Sequence, residues 1–175
     1  MQRHATTRSL PPPGDPLRLA SQLCFPLYAT TNLVVRLYRP LLKPLGLTYP
    51  QYLVMLVLWE RRALTVRALC DELLLESGTL SPLLTRLETR RLVKKTVDPH
   101  DARRVVVALT ARGQALRAHA RAVPEALWCR FVEGLGSGTP APAQLIELRD
   151  TLRGMMAAWQ QQERPTRRSN ERQHP

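Results

Sequence analysis

The side chains with most chemistry to offer in this sequence are three cysteines, Cys24, Cys70 and Cys129. Their number is odd and none is spaced as a CxxC pair, which argues against a secreted disulfide scaffold and against a structural zinc site. The four histidines are scattered without metal-ligand spacing, so no metal site is expected, and thiol chemistry calls for no cofactor. Cys24 lies on an apolar stripe, where a free cysteine most often serves as a small buried hydrophobe. Pro26 opens a second reading. Proline favours the first helical turn, so a helix beginning here places Cys24 at its N-terminus, where the helix dipole stabilises a thiolate. The competing arrangement is a helix from Leu17 that Pro26 merely kinks. Tyr28, four residues on, and Tyr38, ten further, can donate O–H bonds to a thiolate or simply fill a core or an interface. Cys70 reads as inert core, and Cys129, in Trp128-Cys129-Arg130-Phe131, reads first as a buried cysteine of a C-terminal helix.

The second constellation is cationic. Residues 77–104 hold seven basic side chains (Arg86, Arg90, Arg91, Lys94, Lys95, Arg103, Arg104) against three acids (Glu88, Asp98, Asp101). Ser77, Thr79, Ser81, Thr85 and Arg86 fall on the outer side of a helix whose inner stripe is Leu80, Leu83, Leu84 and Leu87, with Arg90 at its far end. Hydroxyls and guanidinium groups so placed suit phosphates and base edges. Pro82 fits if it lies in the first helical turn. Beyond it, Asp98-Pro99-His100-Asp101-Ala102-Arg103 reads as a hairpin turn. Arg103 is expected at its tip, where an arginine suits a narrow minor groove; Asp101 would orient it and Arg104 would share the role. His100 reads as a turn residue rather than a ligand.

These residues need elements to position them. Leu19, Leu23, Leu27, Val34, Leu37, Leu41 and Leu42 trace one long helix or two joined pieces, interrupted at Pro26 and Pro40. A second, largely buried helix is expected over Gln51 to Arg61, and Thr65 caps a third carrying Val66, Leu69, Cys70 and Leu73. A tight glycine-containing turn leads to the fourth, ending near Arg91. Leu92 to Val97 and Arg104 to Leu109 then form a β-hairpin, and Thr110 caps a helix to about Ala120. Two further helices, about Glu125 to Val132 and Ala143 to Trp159, flank the Gly/Pro-rich stretch from Gly134 to Pro142.

The fold class is therefore mainly α with a small β-hairpin wing, a winged helix-turn-helix. Residues 17–159 are expected to fold, the DNA-binding lobe covering about 48–110, between disordered tails over 1–16 and 160–175. The chain has 175 residues and a formal charge of +12, and discounting the tails leaves 20 basic and 11 acidic residues on the folded part. That excess points to double-stranded DNA. The longest run without a polar residue, Leu53 to Trp59, is too short to cross a bilayer, and prolines 11–13 stand where a signal peptide needs an apolar core. A cytoplasmic protein is expected, with no membrane partner.

Thr79-Leu80-Ser81-Pro82-Leu83-Leu84-Thr85-Arg86-Leu87-Glu88, followed by Asp98-Pro99-x-Asp101-x-Arg103 and Leu109-Thr110-x-x-Gly113, resembles the recognition helix and wing of the MarR family of dimeric bacterial repressors. Leu23-Cys24-Phe25-x-Leu27-Tyr28-Ala29, Tyr38-x-Pro40-Leu41-Leu42, Leu45-Gly46-Leu47-Thr48-Tyr49-Pro50-Gln51-Tyr52-Leu53 and Leu58-Trp59-Glu60 resemble its organic hydroperoxide resistance regulators, the OhrR branch. The resemblance covers Leu17 to Leu116 well and the C-terminal third weakly. It implies a homodimer joined through N- and C-terminal helices, bound when reduced to a pseudo-palindromic operator. Cys24 matches the peroxide-reactive cysteine, Tyr28 and Tyr38 its thiol-contacting tyrosines, and Cys129 the resolving cysteine of two-cysteine members. Pro26 departs from the pattern. Organic hydroperoxide would oxidise Cys24, Cys129 of the other subunit would capture the product as a disulfide, and the DNA would be released. Phe25, Leu27, Met55 and Trp59 are expected to line the peroxide's approach. No enzymatic turnover is expected. The rival readings are a MarR-type sensor of a small lipophilic or phenolic ligand, which would respond without Cys24; a thiol peroxidase, which leaves the recognition helix and wing without a purpose; and a general nucleoid protein, which would bind without sequence preference.

Overall fold

The computed structural model describes residues 15, 17–99, 101–135 and 140–170, excluding the side chains of residues 102, 103, 135 and 163–170. Nearly all of the expected N-terminal tail, and His100, lie outside the described residues. After a 3-10 turn at Leu19–Ser21, α1 (Cys24–Leu42) begins at the cysteine itself. Pro26 therefore occupies the first turn, where its missing N–H has no intrahelical acceptor to lose. Of the two arrangements open in the sequence, the helix starting at Cys24 is the one adopted. Pro40 lies in the last turn without ending the helix. Gly46, at φ +63°, turns the chain towards α2 (Tyr49–Arg61). Thr48 and Gln51 form a reciprocal capping box there, the Gln51 Oε1 accepting the Thr48 N–H at 2.9 Å, and Pro50 pre-sets the first turn.

A strand that the sequence reading missed, β1 (Ala63–Thr65), precedes α3 (Val66–Leu73), whose first turn is capped by the Thr65 hydroxyl accepting the Ala68 N–H at 3.1 Å. The turn into α4 (Ser77–Thr89) contains no glycine. Leu74 supplies its left-handed conformation at φ 54°, and Gly78 lies inside the helix. Because α4 begins at Ser77, Pro82 falls in its second turn rather than its first. β2 (Val93–Asp98) and β3 (Asp101–Leu109) pair antiparallel with a register shift at Val97/Asp98, and β1 adds to the other edge of β3, giving the order β1-β3-β2. The hairpin turn is shorter than expected, and residues 101–103 belong to the return strand.

α5 (Ala111–Ala120), α6 (Val123–Leu135) and α7 (Pro142–Asn170) complete the chain. The α7 backbone stays helical to Asn170, through the first eleven residues of the stretch read as a disordered tail. The chain forms two compact units, residues 1–131 and 132–175. In the first, Leu42, Met55, Leu58, Leu69, Leu80, Leu84, Leu87, Leu92 and Val107 are fully buried in one core, so the recognition-helix stripe and the wing strand share it with α1 and α2. Among the described residues no helix is long and apolar enough to span a membrane.

Candidate nucleic-acid interface and thiol site

α4 is divided cleanly. Leu80, Leu84 and Leu87 are buried, while Ser77, Thr79, Ser81, Pro82, Thr85 and Arg86 are exposed on the opposite side. The Thr85 hydroxyl donates to the Ser81 carbonyl at 3.0 Å, so its oxygen faces outward as an acceptor. Between the start of α3, α4 and the wing lies an open concavity of about 690 Å3, lined by Thr65, Arg67, Ser81, Thr85, Lys95 and Arg104. Asp101 borders it from the first position of β3. Four expected DNA-site residues, Ser81, Thr85, Asp101 and Arg104, are thus brought together with Lys95 of the cationic run, and Thr65 and Arg67 join them without having been foreseen. Arg104 lies 3.7 Å from the Asp98 carboxylate. Arg103 has its backbone in β3; its side chain, the expected wing tip, is outside the described residues.

Arg90 is placed elsewhere. Its guanidinium donates to the carbonyls of Gly46 and Leu45, the latter at 3.1 Å, and so clamps the α1–α2 turn. A Cβ at Gly46 would meet only the flexible end of this side chain, so the demand for glycine there comes from φ.

The thiols are free, Cys24 and Cys129 exposed and Cys70 half-buried against the core. Burial, with Asp71 adding to it, pushes the Cys70 thiol up and away from reactivity. Cys24 and Tyr28, at i and i+4 on α1, share one helix face. Leu23 is 65% and Tyr28 69% exposed, Phe25 and Leu27 are exposed beside them, and Leu33 is exposed further along α1. Tyr38 is different: it packs at ring distances of 4.7 Å from Tyr49 and 5.8 Å from Tyr52, and burial, with those two neighbours, raises its phenol to about 12. Fourteen residues along one helix set it roughly 21 Å from Cys24, so the two do not meet within a chain. Met55 and Trp59, expected beside the peroxide's path, are instead core residues, 0% and 6% exposed.

A family model for the SarA/Rot transcriptional regulators matches residues 36–119. The organic hydroperoxide resistance transcriptional regulator of Bacillus subtilis is 43% identical over 110 residues, 63% of this chain and 75% of that protein. This chain belongs to the MarR family of transcriptional regulators. Among solved MarR-family neighbours is AbfR of Staphylococcus epidermidis, 32% identical with a TM-score of 0.62 over 82% of this chain and 93% of that one. Overoxidised AbfR bound to DNA matches at 36% identity and TM-score 0.60, covering 79% and 95% of the two chains. AbfR with its disulfide formed matches at 37% and 0.54, covering 79% and 93%.

In this MarR-family regulator the family-like segments meet physically. The Trp59 indole N–H donates to the Gly113 carbonyl at 2.9 Å, joining α2 to α5. The Thr110 hydroxyl accepts the Gly113 N–H at 3.0 Å and donates to the Arg91 carbonyl at 2.6 Å. A Cβ on Gly113 would overlap the Leu92 carbonyl, so Leu109-Thr110-x-x-Gly113 is the spacing that lets α5 start directly against the root of the wing.

Proposed function

We propose that this DNA-binding regulator is a homodimeric repressor that senses organic hydroperoxide at Cys24. The observation that carries this is an exposed thiol at the first residue of α1, with Tyr28 on its face and exposed Phe25 and Leu27 adjoining. An apolar surface of this kind on a water-soluble chain calls for a cover, and a second copy supplies one. Two antiparallel α1 helices across a dyad would also bring Tyr38 of one copy towards Cys24 of the other, the approach that fourteen residues of helix prevent within a chain. Ser77, Thr79, Ser81, Pro82, Thr85, Arg86, Arg103 and Arg104, with Asp101 orienting, would read a pseudo-palindromic operator; Arg90 serves the α1–α2 turn instead.

The Cys24 thiolate attacks the outer peroxide oxygen, breaking the O–O bond to give sulfenic acid and an alkoxide, which takes a proton from solvent and leaves as the alcohol. The Cys129 thiol of the second copy then displaces water from the sulfenic sulfur, forming a disulfide. A dithiol reductant would reverse the bond and restore binding. The B. subtilis relative's name and the AbfR structures in reduced, disulfide and overoxidised forms support this reading.

The test is a gel shift of the reduced protein on the DNA upstream of its own gene, with about one equivalent of cumene hydroperoxide per thiol and then dithiothreitol. Release followed by recovery is the expected result. Specific binding that ignores peroxide would remove the redox step and leave a ligand-sensing regulator.

A further inference from the structure

Glu88, near the end of α4, reaches across to the wing with both carboxylate oxygens. Oε2 lies 2.8 Å from the Lys95 Nζ, and Oε1 accepts the Lys95 backbone N–H at 3.1 Å. An ion pair between two long surface side chains usually contributes little, because both heads remain mobile. Here one oxygen holds the side chain while the other holds the main chain of the same residue. Lys95 in turn pairs with fully buried Val107 of β3, so the contact ties the recognition helix to the whole sheet. Lys95 also borders the concavity shared with Ser81, Thr85 and Arg104. It is therefore a cation on the DNA-facing side whose charge is answered by a carboxylate from the recognition helix.

We propose that Glu88 is a positioning residue on the DNA-facing surface: it sets the wing root against α4 and withholds Lys95 from phosphates, lowering affinity for DNA of any sequence. Phosphate contacts add affinity without sequence information, so withholding one cation weakens binding to every duplex alike. The inference rests on α4 and the wing being the DNA-contacting elements.

The experiment uses the full chain with reduced thiols and follows fluorescence anisotropy over a salt series. Its two duplexes are the sequence upstream of its own gene and a scrambled version of equal composition. Glu88→Gln keeps an oxygen for the Lys95 N–H but removes the charge that holds the ammonium. Its salt slope on scrambled DNA should steepen by about 0.9 for each Lys95 that reaches a phosphate. Affinity should rise on both duplexes by the same factor, about fivefold, with their ratio unchanged. Adding Lys95→Met should return the slope to the wild-type value. A Glu88→Gln slope and affinities equal to wild type, or a change that Lys95→Met does not reverse, overturns the proposal. So does equal weakening on both duplexes with a lowered thermal midpoint and an unmoved slope, the signature of a merely structural contact. If Glu88→Gln does not fold, Lys95→Met alone decides: an unchanged scrambled-DNA slope is expected, and a shallower one refutes withholding. Failure of the wild type to distinguish the duplexes would count against self-repression, while the scrambled-DNA slopes still judge Glu88.

Discussion

Cys24 and Cys129 share a chemistry but carry different expectations, because one would meet peroxide and the other only its product. Cys24→Ser should bind upstream DNA as the reduced wild type does and stay bound after cumene hydroperoxide, as read by gel shift. Cys129→Ser should still release, with less complete recovery in dithiothreitol, since an uncaptured sulfenic acid is open to further oxidation that the reductant does not reverse. Cys70→Ala should alter neither response. Tyr38 supports a prediction about pH. Its folded value of about 12 exceeds the ordinary 10.0, so between these the unfolded chain gives up a proton that the folded chain keeps. The resulting stability is complete below pH 10 and is lost as pH rises towards 12. Thermal midpoints measured across that window should fall, and Tyr38→Phe should lessen the fall. The residue types of the thiol site were legible in the sequence. The burial of Met55 and Trp59 followed from the apolar run of their helix, but the packing of Tyr38 on Tyr49 and Tyr52 was not legible, because a helical stripe shows which side chains share a face and not what covers that face.

At the scale of elements, the contact between α5 and the wing root gives the sharpest expectation. Gly113→Ala places a methyl group against the Leu92 carbonyl, and overpacking of this kind costs about 1–3 kcal/mol. The thermal midpoint should drop by roughly 2–4 °C for each kcal/mol, with DNA affinity falling further than global stability alone explains. Trp59→Phe should cost about 1 kcal/mol or more by leaving the Gly113 carbonyl without its indole donor, as read by urea unfolding. The helices were legible because 3.6-residue periodicity and caps such as Thr65 and Thr110 are local signals. β1 was not, since three residues show no alternation and owe their conformation to β3, about forty positions away. The turn before α4 misled for a related reason: Gly78 advertised a turn, whereas Leu74 took the left-handed position.

For the molecule as a whole, the charge of +12 and the exposed apolar residues of α1 lead to separate measurements. DNA affinity should fall linearly on a log–log salt plot, and Arg86→Ala should weaken specific binding by about 1–3 kcal/mol. Sedimentation equilibrium should return twice the 19.9 kDa chain mass, and charged replacements at Leu27 and Leu33 should shift it towards the monomer. The sequence by itself determined the helix-turn-helix and hairpin, the divided face of α4, the start of a helix near Cys24 as one of two options, and the family. Each depends on residues within a few positions of one another, where periodicity, capping and charge act. Only the tertiary structure decided that Arg90 clamps the Gly46 turn, that Trp59 bonds Gly113, and that Glu88 holds Lys95 against the wing. Such contacts depend on where a side chain's reach ends once distant segments, 44 positions apart for Arg90 and 54 for Trp59, have been brought together by burial of a common core.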